Sequence, residues 1–147
     1  MSERTLLHSR HPAVPAELRR IRAALRAALA EVGCDKSVVD DLVLAVDEAC
    51  QNVIRHAYPR GAAGDSGGPP GEIRLELSQR PGRLVVMLSD DAPASPPDLL
   101  SRGRDLSDIR PGGLGTHFIR ALMDELSLQS SPSGRGNCLR MVKRLDG

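Results

Sequence analysis

The chain has 147 residues, 40% of them hydrophobic and 27% charged, with a formal net charge of +1 at neutral pH. That size suits one domain with a real core, here 1–147, and the balanced charge gives no overall bias toward nucleic acid. Tyr58 and Phe118 are the only aromatic residues, too few for a base-stacking platform.

No apolar run reaches membrane-spanning length, and residues 1–15 lack the apolar core of a signal peptide. Cys34, Cys50 and Cys138 are odd in number and form no C-x-x-C pair, which argues against a disulfide framework or a zinc ribbon. The expectation is a cytoplasmic protein with no nucleic-acid or membrane partner.

In chain order, residues 4–11 read as a short edge strand, and His8 and His11 as solvated rather than metal-bound. Pro15 suits the first turn of a helix running to about Val32, with Leu18, Ile21, Leu25, Leu29 and Val32 as its apolar face and Gly33 placed to end it. Arg19, Arg20, Arg22 and Arg26 crowd the other side, either a solvated face or a partner surface.

A second helix is expected over Ser37–Tyr58, opened by Ser37 and Asp40 as an S-x-x-D capping box. Leu42, Ala45, Val46, Ala49, Val53 and Ala57 form its apolar stripe, and Glu48 and Asn52, four residues apart, share a face along the shoulder of that stripe. Two readings of this pair stand side by side. Both side chains meet solvent, or Asn52 offers a carbonyl oxygen to a hard cation while Glu48 acts as a base near a phosphate.

The Gly/Pro-rich segment 59–71 reads as a flexible loop. Ile73, Leu75 and Leu77 alternate with charged residues as in a half-buried strand, and Leu84–Leu88 is a more deeply buried one, joined to it by a turn at Arg80-Pro81-Gly82. This strand stops at Asp90-Asp91, and a long loop over 92–111 follows. Gly112-Gly113-Leu114-Gly115-Thr116 then opens a helix carrying Phe118, Ile119, Leu122 and Met123, an arrangement that presents N–H groups to an anion. It is not a Walker loop, since no Lys follows the last glycine. Two further strands are expected at Leu126–Gln129 and Gly136–Leu145, the last with a wet face marked by Arg140, Lys143 and Arg144.

These elements predict an α/β (α+β) two-layer sandwich, a mostly antiparallel sheet covered on one face by helices. Asp90, the Glu48/Asn52 pair and the Gly112–Thr116 turn would then line one pocket between the layers.

The run E-A-C-Q-N-V-I-R-H-A-Y, Glu48 to Tyr58, resembles the N-box of the GHKL ATPase/kinase superfamily, whose Bergerat fold is the sandwich just described. More narrowly it is similar to the anti-sigma-factor serine kinases of the RsbW type. G-G-L-G-T-H-F-I-R-A-L-M-D-E-L, Gly112 to Leu126, resembles their second glycine box, and the ending G-N-C-L-R-M-V-K-R-L their last strand. The resemblance implies ATP and Mg²⁺ as cofactors, Asn52 as the Mg²⁺ ligand and Glu48 as the general base. It further implies that Asp90 binds the adenine amino group, and that Gly113, Leu114, Gly115 and Thr116 bind phosphates. His56 belongs to the N-box, and residues 92–111 would form the ATP lid.

Members of that family phosphorylate a serine or threonine of a STAS-domain anti-anti-sigma protein, bind a sigma factor and often form a homodimer. One departure stands out. The first glycine box, D-x-G-x-G, here reads Asp90-Asp91-Ala92-Pro93-Ala94, so Ala92 and Ala94 occupy both glycine places, and an added Cβ restricts how the backbone can approach a base. Asn137 and Cys138 lie where a Thr commonly helps hold adenine. The alternative implied by the altered box is a non-catalytic binding module of the same fold that sequesters a sigma factor or other regulator.

Overall fold

The computed structural model describes residues 3–57, 71–90, 119–130 and 136–145. The Gly/Pro-rich loop apart from Gly71, the expected lid at 92–111 and the Gly112–Thr116 turn lie outside the described residues.

Strand β1 (Arg4–Pro12) leads through a 3-10 turn at Pro15–Glu17 into helix α1 (Leu18–Ala30) and then α2 (Lys36–Asn52). The hairpin β2 (Glu72–Arg80) and β3 (Arg83–Asp90) follows, and β4 (Glu125–Ser130) and β5 (Asn137–Arg144) form a second one. The five strands make one sheet in the order β1-β2-β3-β5-β4, every pair antiparallel. Between β2 and β3, Pro81 followed by Gly82 at φ 74° is the residue order of a type II turn.

The two-residue period of the strands sorts their side chains onto two faces. Ile73, Leu75 and Leu77 of β2, Leu84, Val86 and Leu88 of β3, and Met141 of β5 meet Ile21, Leu25, Leu29, Leu42 and Val46 of the helices in one core. The apolar spacing read along α1 is therefore its buried face, and Gly33 ends that helix segment at φ 78°, a conformation other residues rarely adopt. Residues 119–122 are helical, with Ile119 and Met123 buried against the same core. No described helix is long and apolar enough to cross a membrane.

Four expectations need correction. The start of α2 is not a Ser37/Asp40 capping box. Asp35 is the N-cap and makes no side-chain cap bond, while its carbonyl accepts from the N–H groups of Val38 and Val39 at 3.0 and 3.1 Å. Asp40 is drawn instead to Arg26 of α1, at 3.0 Å, and to Lys36. The hydrogen bond from Arg26 is the chief cause that holds the Asp40 carboxyl below its usual range.

Nor does α2 continue as an α-helix to Tyr58, because Val53–Ala57 is π-helical. His8 is exposed, but His11 is buried, bonded through Nε2 to Ser9 Oγ at 2.8 Å and through Nδ1 to Glu17 Oε1 at 3.0 Å. It ties the 3-10 turn to β1. Finally, Lys143 is not on a wet face. It pairs with Leu84 across β3 and β5 on the helix side of the sheet, where Nζ donates to Asp41 Oδ2 at 3.1 Å and to Leu122 O at 2.6 Å.

Candidate active site

The helix α2 carries the site because two periodicities coincide on it. Leu42, Ala45, Val46, Ala49 and Cys50 are buried and fix how the helix is rolled onto the sheet. Glu48 and Asn52 sit one step round from that stripe, both half-buried at the edge of the core. Glu48 makes no hydrogen bond or ion pair with any described residue. Asn52 is the last α-helical residue, and its Oδ1 is buried with no hydrogen-bond partner. Buried side-chain oxygens are almost always satisfied, so Asn52 Oδ1, with no partner among the described residues, has an acceptor to offer.

Asp90 ends β3 on the core side of the sheet, paired in register with Ile73 and with Asn137. It is 4% exposed, and its Oδ1 accepts a hydrogen bond from Asn137 Nδ2 at 3.2 Å. The strand period therefore assigns Asn137 to the carboxylate's face and Cys138 to the opposite one, which separates two residues that sequence position alone left together. The Lys143–Asp41 bond pins the N-terminal half of α2 over the Leu84 end of β3.

The backbone of His56 falls in the π-helical stretch. Ala92, Gly113, Leu114, Gly115 and Thr116 lie outside the described residues. Two polar residues of the region were not picked out from sequence. Asp47 is 9% exposed and bonded to Arg22 and Gln51, and Gln51 is bonded in turn to Arg55. An acid set beside Val46 on a buried stripe was the available signal.

Residues 11–143 match the family of histidine kinase-like ATPase domains. The chain belongs to that family. Within the histidine kinase-like ATPases it is similar to curated serine-protein kinases named RsbW. The Bacillus subtilis protein is 29% identical over 145 residues, covering 92% of this chain and 83% of the relative. The Listeria innocua protein is 31% identical over 126 residues, covering 80% and 74%.

Two solved structures share the fold of this family member. One is the RsbU and RsbW domains of a Mycobacterium tuberculosis protein, at TM-score 0.65 and 23% identity, covering 99% of this chain and 33% of that one. The other is the SiaB–SiaC complex from Pseudomonas aeruginosa, at TM-score 0.65 and 22% identity, covering 95% and 91%. A histidine kinase-like ATPase domain implies bound ATP. The orphaned carbonyl of Asn52, a hard oxygen donor, suits a hard divalent cation, whereas no group of three or more His, Cys, Asp or Glu that could cage a metal exists among the described residues. A Mg²⁺ held partly by nucleotide phosphates needs no such cage.

Proposed function

We propose that the protein is an ATP- and Mg²⁺-dependent serine/threonine kinase that acts as an anti-sigma factor. It would phosphorylate a STAS-domain anti-anti-sigma protein and bind a sigma factor. The observation that carries this reading is the pairing of Glu48 with the Oδ1 of Asn52 one helical turn away, neither with a partner among the described residues. The likeness to RsbW serine-protein kinases supplies the class of reaction.

In this reading Asn52 Oδ1 holds the cation, whose role when bound is to neutralise phosphate charge. Glu48 takes the proton from the attacking serine Oγ as the new O–P bond forms and ADP leaves with the electrons of the broken one. Asp90, oriented by Asn137, accepts a hydrogen bond from the adenine amino group. Positioning and charge neutralisation account for most of the catalysis of phosphoryl transfer, so this small set suffices. The outer face of α1, where an open cleft of about 510 Å³ is lined by Arg19, Arg20 and Arg22, is the surface assigned to the protein partners.

Calorimetric titration of ATP, with Mg²⁺ and with EDTA, tests the assignment. Saturable binding that needs Mg²⁺ and is lost in Asn52→Ala is the expected result. Glu48→Ala should retain binding and lose about 10²- to 10⁴-fold in transfer rate. The reverse pattern would overturn the two roles. Ala92 and Ala94 favour a second reading, a binding module that sequesters its partner without phosphoryl transfer. Partner binding indifferent to millimolar ATP would select it.

A further inference from the structure

Asp47 and Gln51 of α2 and Arg55 of the π-helical stretch follow one another at four-residue spacing, and Glu48 and Asn52 of α2 occupy the neighbouring row. The first row is fully wired. Arg22 Nη1 of α1 donates to Asp47 Oδ1 at 2.6 Å, Gln51 Nε2 donates to Asp47 Oδ2 at 2.7 Å, and Arg55 Nη2 donates to Gln51 Oε1 at 3.1 Å. This chain of bonds crosses the point where the helix changes from α to π, since Asp47 and Gln51 belong to the α-helical part and Arg55 to the π-helical part. A π-helical turn is rare and needs something to hold its register.

We propose that the bonds from Arg22 through Asp47 and Gln51 to Arg55 form a clamp on this junction, which makes Asp47 and Gln51 positioning residues for Asn52. The inference rests on the reading of Asn52 as the cation-holding residue. Two arguments support it. First, the nearly buried Asp47 carboxylate is bonded at both oxygens, by the half-exposed Arg22 and by Gln51, which holds it in one defined geometry. Second, both polar atoms of Gln51 and both carboxylate oxygens of Asp47 are occupied along their own row. The neighbouring row is thereby left with an acceptor, Asn52 Oδ1, that no side chain of the clamp turns to satisfy. The clamp also ties the junction to α1, the helix that bears the arginine-lined cleft.

The test uses Arg22→Gln, Gln51→Leu and the conservative Arg22→Lys in the full chain. Amide resonances are recorded without ligand, and Mg-ATP is titrated calorimetrically. Arg22 is remote in sequence and reaches the junction through its bond to Asp47, while Gln51→Leu breaks the same chain of bonds and leaves the Arg22–Asp47 pair in place. Arg22→Gln is expected to shift the amides of residues 52–57 and to weaken Mg-ATP binding roughly 3- to 10-fold in protein that remains folded at the titration temperature. Gln51→Leu should do the same and Arg22→Lys should recover most of the effect. Resonances of 52–57 that stay in place in both Arg22→Gln and Gln51→Leu would overturn the clamp. Should the wild-type chain bind no Mg-ATP, the proposed function fails, and the ligand-free resonances alone decide the clamp.

Discussion

Cys50 lies fully buried on the core side of α2, and burial, with the nearby Asp47 carboxylate, pushes its thiol up from 9.0 to about 12. The unfolded chain ionises this group near its ordinary value while the folded chain keeps it protonated. Its contribution to stability is thus fully present below pH 9, and is lost as pH rises toward 12. Denaturant titrations at pH 7.5 and 10.5 should show a smaller alkaline loss for Cys50→Ala than for the wild type; an equal loss would mean the thiolate is tolerated in the core. Cys138 is equally buried, whereas Cys34 is half-exposed, so a thiol reagent should label Cys34 first in the native protein. The same single-atom logic applies to Asn52. A buried carbonyl oxygen with no donor among the described residues costs folding free energy, and a bound cation would offset that cost.

Lys143 shows what is held together at the scale of elements. One ammonium joins α2 through Asp41, the end of the 119–122 helix through Leu122 O, and β5 through its own backbone. Lys143→Met keeps the stem and removes the charge, and should cost about 1.5–3 kcal/mol for the charged hydrogen bonds it deletes. Equilibrium unfolding measures this, and a loss no greater than that of an exposed lysine would remove Lys143 as a tie between layers. Most elements were legible in the sequence. The alternation of Ile73, Leu75 and Leu77 and the spacing of Leu18, Ile21, Leu25 and Leu29 follow from the two periods of strand and helix, and the core uses them in that way. What escaped notice depends on long-range partners. Ser37 and Asp40 have the spacing of a capping box, but Arg26 arrives from α1 and takes the carboxylate. The π-helical turn at Val53–Ala57 has no local spelling, and the wiring of Asp47 exists only because Arg22 packs against it. Glu48, Asn52 and Asp90 are the candidates that the motifs put forward, whereas the bond from Asn137 to Asp90 needed the pairing of β3 with β5.

For the whole molecule, the near-neutral net charge conceals an uneven distribution. Arg22 and Arg26 are matched by Asp47 and Asp40, but the exposed Arg19 and Arg20 have no partner among the described residues. Binding of a protein partner at this end of α1 should therefore weaken several-fold as salt rises past physiological strength. Arg19→Gln with Arg20→Gln should flatten that dependence, chiefly through the association rate, and a salt response unchanged in the double variant would move the partner surface elsewhere. The sheet order has another consequence, for the making of the chain. β1 is first in sequence, but its only strand neighbour among the described residues is β2, with Pro12 opposite Glu72 and Arg4 opposite Gln79. At a synthesis rate of roughly 5–20 residues per second, the first strand waits about 3–15 s for its neighbour to be made. The α1–α2 pair lies wholly within that interval, so both helices are synthesised before the strands on which their apolar faces pack. The exposed Arg4, His8 and Arg10 keep the waiting strand charged and wet. A nascent chain halted before Glu72 would lack both the partner of its first strand and the apolar surface that its two helices cover.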